Sequence, residues 1–228
     1  MSKINFIDTT LRDGNQSLWA SGIRTSEILP ALPNIDDAGF EAIEIHTPAI
    51  DKKMVRELLE DPFERLRLAR KCAPKTPLRI IRGRSLESFQ LSPQCIEKLW
   101  CEQMAAIGIS EFRTSDSSHT VAHWRRHIEM ARDVGINTVV NLIFSISPLH
   151  TDDYYAGKAK ELAKLKPYRI CIKDPGALFT PERVQTLVPR ILKHTKGIDV
   201  EFHTHCHTGI GGLCTIEAIK LGITKVNT

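Results

Sequence analysis

Short β-rich runs alternate with helical patterns along almost the whole chain. The strand-like runs are INFID (4–8), EAIEI (41–45), PLRIIR (77–82), EFRTS (111–115), NTVVNLIF (137–144), YRICIK (168–173), DVEFHTH (199–205) and TKVN (224–227). Helical candidates lie between them, near 25–38, 52–72, 91–107, 119–134, 152–165, 180–194 and 211–221. This alternation is typical of a parallel sheet, and eight units favour a closed (β/α)8 TIM barrel over an open doubly wound sheet.

The last strand-like run ends one residue before the end of the sequence, so the predicted barrel lacks an eighth helix. A length of 228 residues suits one α/β barrel. We therefore predict a single barrel domain over residues 1–228, truncated at its carboxyl end.

The charge balance and the cysteines exclude several classes of protein. The chain has 31 basic and 27 acidic residues in an interspersed pattern, which argues against nucleic-acid binding. No apolar run approaches the roughly 20 residues that a membrane helix needs. Six cysteines occur without a CxxC pair or a secretory signal, so we expect free thiols and a cytoplasmic location.

Polar residues fall where the predicted strands end. Active groups of a TIM barrel lie at the carboxyl ends of its strands and in the loops that follow. The residues at these positions include Arg12, Asp13, Gln16, Arg82, Lys173, His203 and His205.

The segment FHTHCHTG (202–209) suggests a metal site. Alternate residues of a strand face the same side, so His203 and His205 project together, a spacing that suits two nitrogens on one divalent metal. Asp13 would add an anionic oxygen ligand, and Arg12 beside it is suited to stabilise an oxyanion. The simpler alternatives are a hydrogen-bonded histidine pair and a local Arg12–Asp13 ion pair.

Lys173 lies in an otherwise apolar strand, ICIKDPGALF (170–179). Burial favours the neutral amine of a lysine, and a neutral amine can act as a base or react with carbon dioxide. The resulting carbamate is a carboxylate and could complete a metal site. The alternative is a salt bridge with Asp174 or another interior carboxylate.

Several motifs together resemble one enzyme family. FIDTTLRDGNQS, RIIRG, FRTSD, ISPLHTDDYY, CIKDPGALFTPE and FHTHCHTG occur in the order and spacing of the carboxyltransferase domain of pyruvate carboxylase, and resemble still more the α subunit of oxaloacetate decarboxylase. The resemblance runs from residue 4 to the end. The wider superfamily of HMG-CoA lyase-like metallolyases and acyl synthases shares the Arg-Asp motif and the HxH pair, whereas the lysine in IKD is specific to the carboxyltransferases.

The resemblance implies a set of metal ligands and cofactors. It assigns Asp13, His203, His205 and carbamylated Lys173 to a divalent metal, zinc or manganese. It also implies that biotin is supplied by a carrier protein or by another domain. We further expect a homo-oligomer without a membrane span.

The same resemblance implies the reaction and the residues that bind the substrate. Arg12 and Gln16 would hold the oxygens of a 2-keto acid and its enolate, and Arg82 would bind the substrate carboxylate. The implied function is metal-dependent carboxyl transfer or decarboxylation of a substrate of the oxaloacetate or pyruvate type, with Arg12, Gln16 and Lys173 as catalytic residues.

The second strand-like segment departs from the family pattern. The family reads like ECWGGATFD where this chain reads EIHTPAIDK, so His46 replaces Trp, Thr47 and Pro48 replace two glycines, and Asp51 lies one place out of register. This departure favours a first alternative, a biotin-independent carbon–carbon lyase or Claisen-type synthase. A second alternative is a non-catalytic assembly subunit, but such a chain would be expected to lose ligands, and all four are present.

Overall fold

The computed structural model describes residues 3–86 and 91–228, and its strands form a closed barrel in chain order. The strands are β1 Asn5–Asp8, β2 Ala42–His46, β3 Leu78–Arg82, β4 Glu111–Thr114, β5 Asn137–Ile143, β6 Arg169–Asp174, β7 Asp199–Thr204 and β8 Lys225–Asn227. Neighbouring strands pair in parallel, for example β5 with β6 and β6 with β7. The predicted TIM-barrel fold is therefore confirmed.

Helices lie between the strands. They are α1 Asn15–Trp19, α2 Thr25–Ile28, α3 Leu32–Asp37, α4 Asp51–Lys53, α5 Pro62–Cys72, α6 Gln94–Ile107, α7 Val121–Asp133, α8 Asp152–Ala163, α9 Pro181–His194 and α10 Gly211–Lys220. Side-chain caps begin several of them, as where the Thr180 hydroxyl accepts a hydrogen bond from the Arg183 amide at 3.2 Å ahead of Pro181. None of the helices in the described part of the chain combines the length and the apolar character of a membrane span.

Three helical segments differ from their prediction. The segment 25–38 is divided into α2 and α3, and Pro30, which lacks an amide hydrogen, lies between them. In the segment 52–72, Leu59 adopts a left-handed φ of 56° and separates a π-helical turn, Met54–Leu58, from α5. No helix is predicted between residues 9 and 24, but a π-helical turn over Thr10–Gly14 leads directly into α1.

Two compact units each have an apolar cluster of their own. The first is built mainly from Thr114–Glu129 and Thr138–Asn227, and the second mainly from Phe6–Arg113 and Met130–Asn137. The prediction of a single domain over 1–228 stays a prediction. All six cysteines are free thiols, as expected.

Strand alternation separates apolar from charged side chains. In the first unit, Ile170 and Ile172 of β6 are buried in a cluster that includes Ile191 of α9. The alternate residue Arg169 instead pairs with Glu201 of β7, with 3.2 Å between Nη1 and Oε1. A strand whose two faces are both buried thus carries apolar residues toward the helices and paired charges on the other face.

A buried histidine supports the segment between β4 and α7. His119 is only 1% exposed, and its Nε2 accepts a hydrogen bond from the Ile143 amide at 2.8 Å. Its Nδ1 lies 3.1 Å from the Tyr154 hydroxyl. An imidazole that accepts at one nitrogen is neutral. Burial, together with the charge of His150, lowers the pKa of His119 to about 4.

This histidine predicts a pH dependence of stability. Between pH values of about 6.5 and about 4, the unfolded chain binds a proton at His119 that the folded chain does not. The free energy of unfolding should therefore fall as the pH decreases through this window. Replacing His119 with Gln should flatten the slope by at most about 1.4 kcal/mol per pH unit, measured by urea denaturation at several pH values. An unchanged slope in the variant would contradict the assignment.

Candidate active site at the carboxyl ends of the strands

The π-helical turn after β1 brings together three of the predicted site residues. The Arg12 Nη2 donates to Asp13 Oδ2 at 2.8 Å, and Nη1 lies 3.4 Å from Gln16 Oε1. The Arg12 side chain is only 4% exposed, while Asp13 is partly exposed. The Ser17 hydroxyl also lies 3.4 Å from Asp13 Oδ1. Four polar side chains therefore lie together just after β1.

Glu44 of β2 holds Arg12 in place. This carboxylate is fully buried and accepts a hydrogen bond from Arg12 Nε at 2.6 Å through Oε1. Its Oε2 accepts a second one from Nη1 of Arg113, in β4, at 3.0 Å. Burial, and to a lesser degree the charge of Glu44, raises the pKa of Asp8, while hydrogen bonds from Thr10 lower it. Glu44 is not among the residues predicted from the sequence; its signal is an acidic residue between the apolar positions of EAIEI.

Removal of the Glu44 carboxylate should destabilise the folded protein, because two buried guanidinium groups lose a hydrogen-bond acceptor. We expect Glu44→Ala to lower the free energy of unfolding by about 3–5 kcal/mol in urea denaturation. Glu57→Ala is the matched control, since Glu57 is 65% exposed and its Oε2 lies 3.7 Å from Lys53 Nζ. The control should cost less than about 1 kcal/mol. Equal losses in the two variants would contradict this role.

The two predicted histidine ligands lie at the end of β7. His203 is in the strand and buried, and His205 follows one residue beyond the strand end. Their ring centroids are 5.2 Å apart. The His205 amide donates to the Asp174 carbonyl at 3.0 Å, and its Nδ1 lies 3.2 Å from Nε2 of His207.

Lys173 is buried near the end of β6, in register with His203 of the neighbouring strand. The adjacent carboxylate of Asp174 accepts hydrogen bonds from the amides of Leu178 and Phe179 at 3.0 and 2.8 Å. It also accepts one from the Thr204 hydroxyl at 3.1 Å. Asp174 therefore organises the loop after β6.

Asp13, His203 and His205 form a candidate metal site. Each offers one ligand atom, and these atoms all lie within 4.8 Å of one another. Two imidazole nitrogens and one carboxylate oxygen are a donor set that zinc and manganese accept. The chemistry of the donors therefore fits a divalent metal, whose identity they leave open.

The contacts of Arg82 are with a helix. Its Nη2 forms an ion pair with Glu97 at 3.0 Å, and its guanidinium carbon lies 5.4 Å from the ring centroid of Trp100. Its Nη1 lies 3.7 Å from Cys101 Sγ. All three partners are on α6, and the Arg82 side chain is only 1% exposed. Binding of a substrate carboxylate by Arg82 stays a prediction, and the contacts seen are with this helix.

Comparison with known proteins identifies the class of this barrel. No protein-family model matches the chain. A pyruvate carboxylase subunit of Methanocaldococcus jannaschii is 34% identical over 225 residues, covering 98% of this chain and 40% of that protein. The methylmalonyl-CoA carboxyltransferase 5S subunit of Propionibacterium freudenreichii subsp. shermanii is 28% identical over 229 residues, covering 99% of this chain and 45% of that protein. The barrel is thus similar to subunits of carboxylases and of a carboxyltransferase.

Solved structures agree with this classification. The carboxyltransferase domain of Rhizobium etli pyruvate carboxylase with pyruvate superimposes with a TM-score of 0.92 at 27% identity, covering 100% of this chain and 40% of that chain. The predicted resemblance to the carboxyltransferase domain of pyruvate carboxylase is therefore confirmed. The chain spans about 40% of the length of the pyruvate carboxylase subunits that it matches.

Proposed function

We propose that the protein catalyses metal-dependent carboxyl transfer or decarboxylation of a 2-keto acid of the oxaloacetate or pyruvate type through an enolate. Biotin would be carried by another domain or by a carrier protein, and the assembly would be a homo-oligomer. The observation that supports this proposal most is the group of Asp13, His203 and His205, with the guanidinium of Arg12 bonded to Asp13.

The proposed ligands of the metal are Asp13, His203, His205 and a carbamate on Lys173. The register that pairs Lys173 with His203 supports the inclusion of the lysine. When bound, zinc or manganese would act as a Lewis acid toward the oxygen of the enolate.

Arg12 and Gln16 would supply the polar contacts to the substrate. Arg12 keeps its positive charge at every relevant pH, and the bonds to Glu44 and Asp13 fix its guanidinium before the substrate arrives. A preorganised cation stabilises an oxyanion without reorganising during the reaction. Gln16 turns its amide oxygen to Arg12, so its NH2 group is directed to donate to a second substrate oxygen.

The names of the relatives support biotin-dependent chemistry and a keto-acid substrate. They include pyruvate carboxylase subunits, a methylmalonyl-CoA carboxyltransferase subunit and a 2-oxoglutarate carboxylase large subunit. Several solved neighbours are structures with pyruvate, 3-hydroxypyruvate or oxalate. These small dicarboxylate-like and keto-acid molecules share two oxygens on adjacent carbons, which suit a metal and an adjacent cation.

Metal binding provides the first test. Asp13→Asn removes one anionic ligand while keeping the size of the side chain, so we expect metal affinity to fall at least about tenfold, measured by titration and metal analysis. Asp37→Asn is the matched control, because Asp37 is 66% exposed in a surface pair with Lys75. Equal metal affinity in the two variants would contradict the proposed site.

Activity provides the second test. We expect the protein with metal to decarboxylate oxaloacetate faster than a blank with metal alone, and added biotin to increase this rate. In Lys173→Ala the rate should fall at least about a hundredfold. Loss in the variant is expected because the carbamate ligand cannot form. Metal binding without any biotin response would instead favour the biotin-independent lyase or synthase.

A further inference from the structure

A third histidine lies against the candidate metal ligand His205. Nδ1 of His205 is 3.2 Å from Nε2 of His207, and the ring centroids are 5.2 Å apart with 56° between the ring planes. His207 is exposed to solvent, whereas His205 is partly buried. Among the described residues, the grouped ligand atoms are those of Asp13, His203 and His205. His207 therefore contacts a ligand without belonging to the group of ligands.

A turn after β7 carries His207. The Gly209 amide donates to the Cys206 carbonyl at 3.0 Å, which makes His207 the second residue of a β-turn. Gly209, the last residue of this turn, has a φ of 79°, which glycine adopts without strain. The Thr208 hydroxyl donates to the Ala177 carbonyl at 3.4 Å and so joins the turn to the loop after β6. These hydrogen bonds fix the backbone that carries His207.

The backbone of His205 is fixed as well. Its amide donates to the Asp174 carbonyl at 3.0 Å. Its own carbonyl lies close to the first residue of α10, Gly211, where a side-chain carbon would come within 2.7 Å of the carbonyl oxygen. Position 211 therefore suits glycine, which lets the chain pass close to His205. The two imidazoles thus meet between backbone segments that are both held in place.

The contact between the two rings requires a hydrogen. Two lone pairs that face each other at this distance repel, so either His205 donates from Nδ1 or His207 donates from Nε2. A neutral imidazole carries its hydrogen on one nitrogen only. The first arrangement leaves a lone pair on Nε2 of His205, whereas the second puts the hydrogen there. A metal binds a ring nitrogen through its lone pair, so a metal on Nε2 of His205 selects the first arrangement.

We propose that His207 is a positioning residue for the metal ligand His205, an inference that rests on the metal site of the proposed function. Nε2 of His207 accepts the hydrogen of His205 Nδ1, which fixes the tautomer and the ring orientation of the ligand. A histidine that binds a metal almost always donates its other ring N–H to an acceptor, usually a carboxylate, a backbone carbonyl or water. In this protein the acceptor is a second imidazole.

The tautomer of His205 tests the proposal without turnover. In protein labelled with 15N-histidine and loaded with zinc, two-bond nitrogen–proton correlations should show the hydrogen of His205 on Nδ1 and zinc on its Nε2. Nε2 of His207 should carry neither a hydrogen nor zinc. The variants His205→Asn and His207→Gln assign the signals by their loss. A hydrogen on Nε2 of His205, or zinc bound to His207, would overturn the proposal.

Zinc affinity in matched variants is the second test. His207→Phe keeps a ring but offers no acceptor, so the Kd for zinc should rise about 10- to 100-fold, the usual effect of losing such a partner. His207→Gln can place its amide oxygen near the position of Nε2, so it should recover most of this loss. His194→Phe is the control and should leave the Kd unchanged, because His194 lies in the last turn of α9, ahead of the amino end of β7.

The outcomes separate this inference from the proposed function. An unchanged Kd in His207→Phe, or equal losses in His207→Phe and His207→Gln, would overturn the role of His207 as an acceptor and leave the metal site standing. Absence of zinc binding by the unchanged protein would overturn both proposals. Zinc bound with the expected tautomer, but without decarboxylation of oxaloacetate, would overturn the proposed function alone.

Discussion

The shared direction of the strands is the constraint on which the site depends. Parallel strands in a closed barrel end on the same side, so residues far apart in sequence gather there. The turn after β1 supplies Arg12 and Asp13, and β7 ends beside His203 and His205. Together these positions contribute a cation, a carboxylate and two imidazoles. The chemistry proposed for this protein comes from that combination.

Charges inside the barrel are tolerated because they are paired. Three ion pairs each join a guanidinium to the carboxylate of a buried strand residue. They are Arg12 with Glu44, Arg79 with Glu111, and Arg169 with Glu201. A single buried charge would cost several kcal/mol, whereas a hydrogen-bonded pair recovers much of that cost. These pairs need not add net stability, but the one at Glu44 fixes where the Arg12 guanidinium points. Rigidity of that group is what a catalytic cation requires.

The regular parts of the fold could be predicted from the sequence, and the irregular ones could not. Strand positions agree within about two residues, because β-rich runs bounded by glycine and helical patterns are local signals. The π-helical turn over Thr10–Gly14 has no such signal. The ion pair of Arg82 could not be predicted either. Its partner Glu97 is on a helix 15 residues further along the chain, and no local pattern predicts a contact at that distance in sequence. Family resemblance alone assigned Arg82 to the substrate.

The candidate site also has parts that the sequence predicts and parts that it does not. Asp13, His203 and His205 could be proposed as a group because barrel geometry brings strand ends together, and the structure groups them. His46 and Asp51 appeared in the sequence as departures from a family pattern, and no local signal predicted that they would pair. Their pairing depends on the 3-10 turn over Pro48–Ile50, which reverses the chain within five residues.

The central claim is that Asp13, His203, His205 and carbamylated Lys173 hold a divalent metal. The most direct measurement is a crystal structure of the protein grown with metal and bicarbonate, with diffraction data collected on both sides of the absorption edge of the metal. We expect one anomalous peak, bonded to Asp13, both histidines and an oxygen of a carbamate on Lys173. A peak elsewhere, or an unmodified Lys173 that does not contact the metal, would contradict the claim.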